Sequence, residues 1–306
     1  MGRERIVIGT RGSALALWQA EHVAGLLAAA HPDLTVEKAI IVTTGDRTQG
    51  PVWQAGGKGA WIKEIEEALL AGQIDLAVHS LKDVPAELAP ELALAAIPAR
   101  ADSRDALVSH GGATLANLPA AARVGTTSLR RVCQVKALRP DLDLQPLRGN
   151  LDTRLRKVAD GSVDAAVLAC AGLDRMGLSD RIAERIPVER MLPAIGQGAL
   201  AIETRAADQG VRALCRALAH EETEITVAAE RALLRHLGAG CRTPVAGNAR
   251  LQQGKLEVWG LVGRPDGTLI LRESVVGPPS AADALGKALA DALLSRGADR
   301  ILAELG

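Results

Sequence analysis

Ile6-Val7-Ile8-Gly9-Thr10-Arg11-Gly12-Ser13 is the stretch on which the reading turns. The apolar run Ile6–Thr10 reads as a strand, and the pattern from Ser13 to Ala30 reads as a helix. Ser13 is a natural N-cap for that helix. Gly125-Thr126-Thr127-Ser128 makes the same move, closing a strand at Val124–Thr126 and opening a helix at Leu129–Leu138. A second echo links Gly72-Gln73-Ile74-Asp75-Leu76-Ala77-Val78 with Gly161-Ser162-Val163-Asp164-Ala165-Ala166-Val167. Chance could produce such echoes in a chain rich in Ala, Gly and Val. Two similar lobes would explain both at once.

Working outward, Thr35–Val42, Ile74–Val78 and Leu92–Ile97 read as further strands, with a helix at Trp61–Ala71. The alternation resumes with strands at Ala106–Ser109, Leu142–Leu147 and Val163–Ala169 and a helix at Leu151–Ala159. Strands alternating with helices predict an α/β fold. Two such lobes are expected to take a ligand in the crevice at the strand carboxyl ends. The last third differs. A long helical pattern, Glu221–Leu237, ends at Gly238-Ala239-Gly240, and Cys241 follows. Strand-like runs at Val245–Leu251, Leu256–Val262 and Thr268–Val275 come next, the last two joined by Arg264-Pro265-Asp266-Gly267, a strong turn signal. An amphipathic helix, Ala281–Arg296, completes a smaller α+β domain with a three-stranded antiparallel sheet.

The 306 residues suffice for two or three domains with proper cores. Hydrophobic residues are 48% and charged residues 24%, which argues against a disordered chain. Cationic and acidic side chains tie at 36 each, so the basic excess of a nucleic-acid binder is missing. No apolar run approaches the roughly 18 residues of a membrane span, and the N-terminus does not read as a signal peptide. A cytoplasmic protein is expected. Cys133, Cys170, Cys215 and Cys241 are too widely spaced for a Cys-x-x-Cys metal site, and no metal is expected. The chain has no Phe, no Tyr and only four Trp, so aliphatic side chains must fill the cores.

The 36 cations divide into 28 Arg and 8 Lys. Arg forks suit carboxylates and phosphates, although GC-rich codon usage would give the same bias. Gly9–Ser13 sets backbone N–H groups and Arg11 at a helix N-terminus, which favours anions; an ordinary capped turn would look the same. Thr126, Ser128, Arg130 and Arg131 lie at the second such turn. Lys58, Lys82, Arg148, Arg154 and Arg175 sit at loop edges or helix ends, a spread that suits several carboxylates better than one phosphate. Asp83 follows Lys82 and precedes Val84-Pro85, where the proline drives Val84 out of helix. A carboxylate there could stabilise a developing cation, or merely cap a loop. Cys241 lies between glycines and Arg242, which favours thiolate. Cys133 and Cys170 sit in apolar contexts that predict burial.

Together these residues resemble the porphobilinogen deaminase (hydroxymethylbilane synthase) family. The matching stretches, in chain order, include Ile8–Ala16, Thr43-Thr44-Gly45-Asp46, Gly56-Gly57-Lys58-Gly59 and Asp75–Pro85. Gly125–Arg131, Leu147–Arg154, Ala171–Arg175, Gly196–Leu200, Glu230-Arg231 and Gly240-Cys241 follow. The resemblance implies two lobes like those of periplasmic binding proteins, residues 1–98 with 199–216 and residues 104–192, and a cofactor-carrying domain at 221–306. It implies a transferase of tetrapyrrole biosynthesis, including haem. Four porphobilinogen molecules are joined head to tail with loss of ammonia, and hydrolysis frees hydroxymethylbilane. One dipyrromethane cofactor per chain is implied, thioether-linked to Cys241. By resemblance Asp83, Lys82 and Arg11 are catalytic. Lys58, Ser80, Lys82, Asp83, Thr126, Ser128, Arg130, Arg131 and Arg148 hold the cofactor together with Cys241. Arg11, Ser13, Arg148, Arg154, Arg175 and Gln197 bind substrate. A monomer acting on a small molecule is expected, with neither nucleic acid nor membrane as partner. The chain departs from the family at Gln54, where a Lys is common, at Trp61, where Phe is common, and at Asn248, where an aromatic is frequent. Two other readings stay open on the residues alone. One is a two-lobed binding protein for a small anionic solute, without chemistry. The other is a folded but slow deaminase, suggested by the absence of Phe and Tyr.

Overall fold

The computed structural model describes residues 4–47, 61–240 and 243–304. In chain order the elements run β1 (Arg5–Thr10), α1 (Ala14–Ala30), β2 (Thr35–Ile40), α2 (Thr44–Arg47), α3 (Lys63–Leu70), β3 (Leu76–Ser80) and β4 (Leu92–Ala96). Then come β5 (Asp105–Ser109), β6 (Arg123–Gly125), α4 (Leu129–Leu138), β7 (Asp143–Gln145), α5 (Leu151–Ala159), β8 (Ala165–Ala169), α6 (Cys170–Arg175) and β9 (Glu184–Ile186). The remainder is β10 (Leu200–Arg205), α7 (Gln209–Arg216), α8 (Glu221–His236), β11 (Val245–Gln252), β12 (Lys255–Gly263), β13 (Ile270–Gly277), α9 (Ala282–Ser295) and α10 (Ala298–Ala303).

The chain divides into two compact units, Met1–Arg100 with Ala199–Glu224, and Ala101–Gly198 with Ile225–Gly306. The first unit is built on a sheet of order β2-β1-β3-β10-β4. The second contains a sheet of order β7-β6-β8-β5-β9 and the antiparallel sheet β11-β12-β13. The two five-stranded sheets match strand for strand. In one, β1 runs parallel to β2 and β3, and β10 runs antiparallel to β3 and β4. In the other, β6 runs parallel to β7 and β8, and β5 runs antiparallel to β8 and β9. Both antiparallel strands are the first strand after the chain has changed units.

The internal echoes are therefore structural. Gly9 lies opposite Ala77 in the first sheet, as Gly125 lies opposite Ala166 in the second. Asp75 Oδ2 accepts from Val7 N at 2.8 Å, and Asp75 N donates to Val7 O at 2.9 Å. Asp164 repeats both bonds with Arg123 at 2.7 and 2.8 Å. Each aspartate thus fixes the register of a parallel pair, β1 with β3 and β6 with β8, and a slip of one residue would turn every side chain to the wrong face.

In the antiparallel domain, α8 and α9 cover one face of the sheet around Leu233, Val258, Leu289 and Leu293. Cys133, Leu192, Ala246 and Leu261 form a second cluster joining this sheet to α4. The Arg264–Gly267 turn forms as read, with Gly267 at φ +77° and Asp266 Oδ1 accepting from Thr268 N at 2.9 Å. No helix among the described residues is long and apolar enough to cross a membrane.

The helices at 129–138 and 151–159 fall where the sequence predicts them. β3 begins at Leu76 rather than Ile74, and β2 ends at Ile40 rather than Val42. β9, β10, α6, α7 and α10 are elements the sequence reading does not contain. β10 is hidden because Glu203 and Thr204 interrupt its apolar pattern although both are buried.

Gly125 packs against Leu147: a Cβ there would lie 2.8 Å from Leu147 Cβ, an atom close to the backbone that has little room to retreat. We expect Gly125→Ala to destabilise the protein by about 1–3 kcal/mol through overpacking, as measured by urea unfolding against wild type.

Candidate active site

In the first unit the site residues follow two adjacent parallel strands. Arg11 and Ser13 follow β1, and Lys82 and Asp83 follow β3, so both pairs emerge at the carboxyl edge of one sheet. Ser13 caps α1, its Oγ accepting from Ala16 N at 3.4 Å. The Arg11 guanidinium lies 4.1 Å from the centre of the Trp61 ring. This cation–π contact gives the Phe-to-Trp departure a role, because Trp presents the stronger quadrupole to a cation. Lys82 and Asp83 lie in a 3₁₀ turn, Leu81–Asp83. Leu81 N donates to Ala199 O at 3.0 Å, Val84 N closes the turn onto Leu81 O at 3.0 Å, and Val84 is extended before Pro85, as the proline predicts. Asp83 is exposed and Lys82 half-buried. Ser80 Oγ accepts from Gln19 Nε2 at 2.9 Å.

In the second unit Thr126 and Ser128 lie at the N-terminus of α4. The Thr126 hydroxyl accepts from Ser128 N at 3.2 Å, and the Ser128 hydroxyl makes no capping bond to the helix. Asn150 caps α5 through Thr153 N at 2.9 Å. That cap places Arg148 just ahead of the helix and Arg154 in its first turns, where Arg154 Nε donates to Gly149 O at 2.8 Å. Arg175 ends α6 and donates to Gly198 O at 2.7 Å. Burial pulls its pKa down to about 10.

Arg130, Arg131 and Gln197 are brought together, around a residue the sequence reading does not single out. Asp105 opens β5 and is fully buried. Arg130 donates to its two oxygens at 2.6 and 3.1 Å, Arg131 to Oδ1 at 2.8 and 3.0 Å, and Gln197 Nε2 to Oδ1 at 3.0 Å. The remaining reach of the two arginines goes to Leu192 O and Val167 O. The resemblance assigns these arginines to ligand carboxylates; the carboxylate they hold in the structure is Asp105. Burial alone would raise the Asp105 pKa, but the two guanidinium charges and the hydrogen bonds from Arg130 and Gln197 outweigh it and hold it well below the ordinary range.

Lys58 and Cys241 lie outside the described residues. The other three cysteines are buried, and burial pushes the thiols of Cys133, Cys170 and Cys215 up to about 12. Among the described residues no group of three His, Cys, Asp or Glu side chains is arranged to hold a metal.

Two predictions follow from these environments. Asp105→Asn leaves two buried guanidinium groups without their carboxylate and should cost about 3–5 kcal/mol in urea unfolding. Because the folded pKa of Asp105 lies below the unfolded value, its stabilisation is complete above about pH 4 and is lost as the pH falls further. The acid limb of the stability curve should therefore flatten in the variant. Alkylation of the native protein at pH 8, followed by peptide mass mapping, should leave Cys133, Cys170 and Cys215 unmodified.

The family model described as porphobilinogen deaminase, dipyromethane cofactor binding domain, matches residues 6–213, and that of the porphobilinogen deaminase C-terminal domain matches residues 224–295. Porphobilinogen deaminase of Syntrophotalea carbinolica is 50% identical over 306 residues, covering 100% of this chain and 97% of its own. That of Syntrophomonas wolfei is 47% identical over 298 residues, covering 97% of each chain. Among solved structures, the VFT2 domain of Bordetella pertussis BvgS aligns with 74% of this chain and 92% of its own, at 14% identity and a TM-score of 0.44. With family models spanning both units and near-half identity from end to end, this chain belongs to the porphobilinogen deaminase family.

Proposed function

We propose that the chain is a transferase that condenses four porphobilinogen molecules head to tail with release of ammonia. It builds on one dipyrromethane primer held as a thioether on Cys241, and it hydrolyses off hydroxymethylbilane. The observation that carries this reading is the exposed Asp83, set beside Lys82 at the carboxyl edge of the first sheet, with Arg11 just past the end of the neighbouring strand. Porphobilinogen and dipyrromethane carry acetate and propionate groups, and the donor set fits them. Arg11, Ser13, Ser80 and Lys82 offer cations and hydroxyls in one unit. Thr126, Ser128, Arg148, Arg154 and Arg175 do so in the other, and forked guanidinium groups are suited to carboxylates. Arg130 and Arg131 are read with the cofactor and Gln197 with the substrate, and all three also hold Asp105. Cys241 as the attachment point is supported by the other three thiols, whose burial and raised pKa make them poor nucleophiles.

When bound, the dipyrromethane supplies the nucleophilic pyrrole carbon. The chain's own contribution is electrostatic and positional. Asp83 accepts hydrogen bonds from the substrate pyrrole N–H and from the departing ammonium, and its negative charge favours the cationic pyrrole that ammonia loss creates. Lys82 and Arg11 hold substrate carboxylates so that their charge does not repel Asp83. Arg11 is kept in place by Trp61. We read residues 221–306 as the domain that presents the cysteine, and the protein as a cytoplasmic monomer.

Intact-protein mass spectrometry tests the reading. Wild type should carry a mass excess of two linked pyrrole units, and Cys241→Ser should lack it. Asp83→Asn should keep the excess while kcat falls about a hundred- to ten-thousand-fold. A wild-type mass that stays unmodified after incubation with porphobilinogen would overturn the enzyme reading in favour of a binding protein.

A further inference from the structure

The last two residues of β3 are held from opposite faces immediately before the Lys82–Asp83 turn. Side chains alternate along a strand. Leu76 and Val78 face Ala20, Val23 and Leu27 of α1. On that face Ser80 accepts from Gln19. Ala77 faces Ile65 and Leu69 of α3, and His79 shares that opposite face. There His79 Nε2 lies 2.8 Å from Glu203 Oε2 on β10. Both side chains are buried, at 5% and 0% exposure. Register explains the meeting: Glu203 lies opposite Ala77, one step along the same face from His79. The second oxygen, Glu203 Oε1, is buried without a hydrogen-bond partner. Glu66 on α3 lies in the same environment, its pKa raised by burial and then by the Glu203 charge, with His79 opposing.

A carboxylate placed so deep, with one oxygen unsatisfied, is a poor way to stabilise a sheet; an apolar residue would pack there at less cost. Its gain is in orientation. This contact ties β3 to β10 one residue short of the turn, where Leu81 N also bonds to Ala199 O.

We propose that Glu203 is a positioning residue: by holding His79 from the neighbouring strand, it makes β3 deliver the Lys82–Asp83 turn in a single orientation. The consequence for turnover rests on the role given to Asp83 above. A misaimed Asp83 weakens the transition state more than substrate binding, because a displacement of about 1 Å is enough to slow a positioned reaction substantially.

The test is a double-mutant cycle of Glu203→Gln and His79→Gln in the full chain. Turnover is measured with porphobilinogen, and hydrogen–deuterium exchange is followed over residues 81–84. The expected result is a kcat at least about tenfold lower with KM within about twofold. The double variant should be no worse than the poorer single, since the two side chains act as one unit. Exchange at 81–84 should rise while β1 stays protected. Unchanged kcat and exchange, or losses that multiply in the double variant, would overturn the proposal. If one single variant does not fold, the other carries the same comparison. If wild type consumes no porphobilinogen, the assigned reaction fails and exchange alone decides: faster exchange at 81–84 upholds the positioning role, and unchanged exchange overturns it.

Discussion

A carboxylate with no access to water holds the second lobe together. Asp105 can stay ionised there only because Arg130 and Arg131 close on it and Gln197 adds a further donor. The partners come from two distant parts of the chain. The arginines bring the N-terminus of α4, and through Leu192 O and Val167 O they fix the segment before β10 and the core strand β8. Gln197 brings the residues through which the chain leaves the unit, and it also bonds Ser103 O at 2.8 Å on the segment by which the chain enters. Entry, exit and helix start are thereby set by one charge. It also anchors the start of α4, directly after the anion-binding candidates Thr126 and Ser128.

The duplicated lobe architecture follows from a similar economy of contacts. A parallel pair needs a crossover helix, and in each lobe an aspartate just before β3 or β8 pins such a pair to register. The antiparallel strand is supplied at each unit crossing, by β5 in one direction and β10 in the other. Gly198 shows how tight that crossing is: it adopts φ +89°, and a Cβ there would lie 2.5 Å from Ala101 O. Arg175 donates to the carbonyl of the same residue.

Much of this was legible in the sequence, and the failures are instructive. The Gly9 and Gly125 turns, the Ser13 cap and the helices opening at Leu129 and Leu151 follow from local chemistry: capping, periodicity and glycine before a close approach. The Asp75 and Asp164 echo pointed to duplicated lobes because both residues do the same work at the same register. β10 escaped because its burial is satisfied by a distant histidine, a partner that no local window contains. Asp105 escaped for the same reason. A lone aspartate before Ala-Leu-Val reads as a strand edge until the two arginines, 25 and 26 residues away, are seen to close on it.

The arginines divide along the same line. Abundance alone does not separate one arginine's surroundings from another's, and the guanidinium partners differ. Arg104, Arg130, Arg131 and Arg185 each close on a carboxylate of their own unit. Arg130 and Arg131 share Asp105, and Arg104 and Arg185 share Asp102, so these forks serve the fold. Arg154 and Arg175 are steered by backbone carbonyls, and Arg11 by an indole face. Such contacts orient a guanidinium. At Arg175 burial lowers the pKa, the mark of a desolvated cation. A zero net charge therefore says nothing of where the cations stand: Arg130 and Arg131 meet on one buried carboxylate, whereas Arg11 is laid over an indole beside the first sheet.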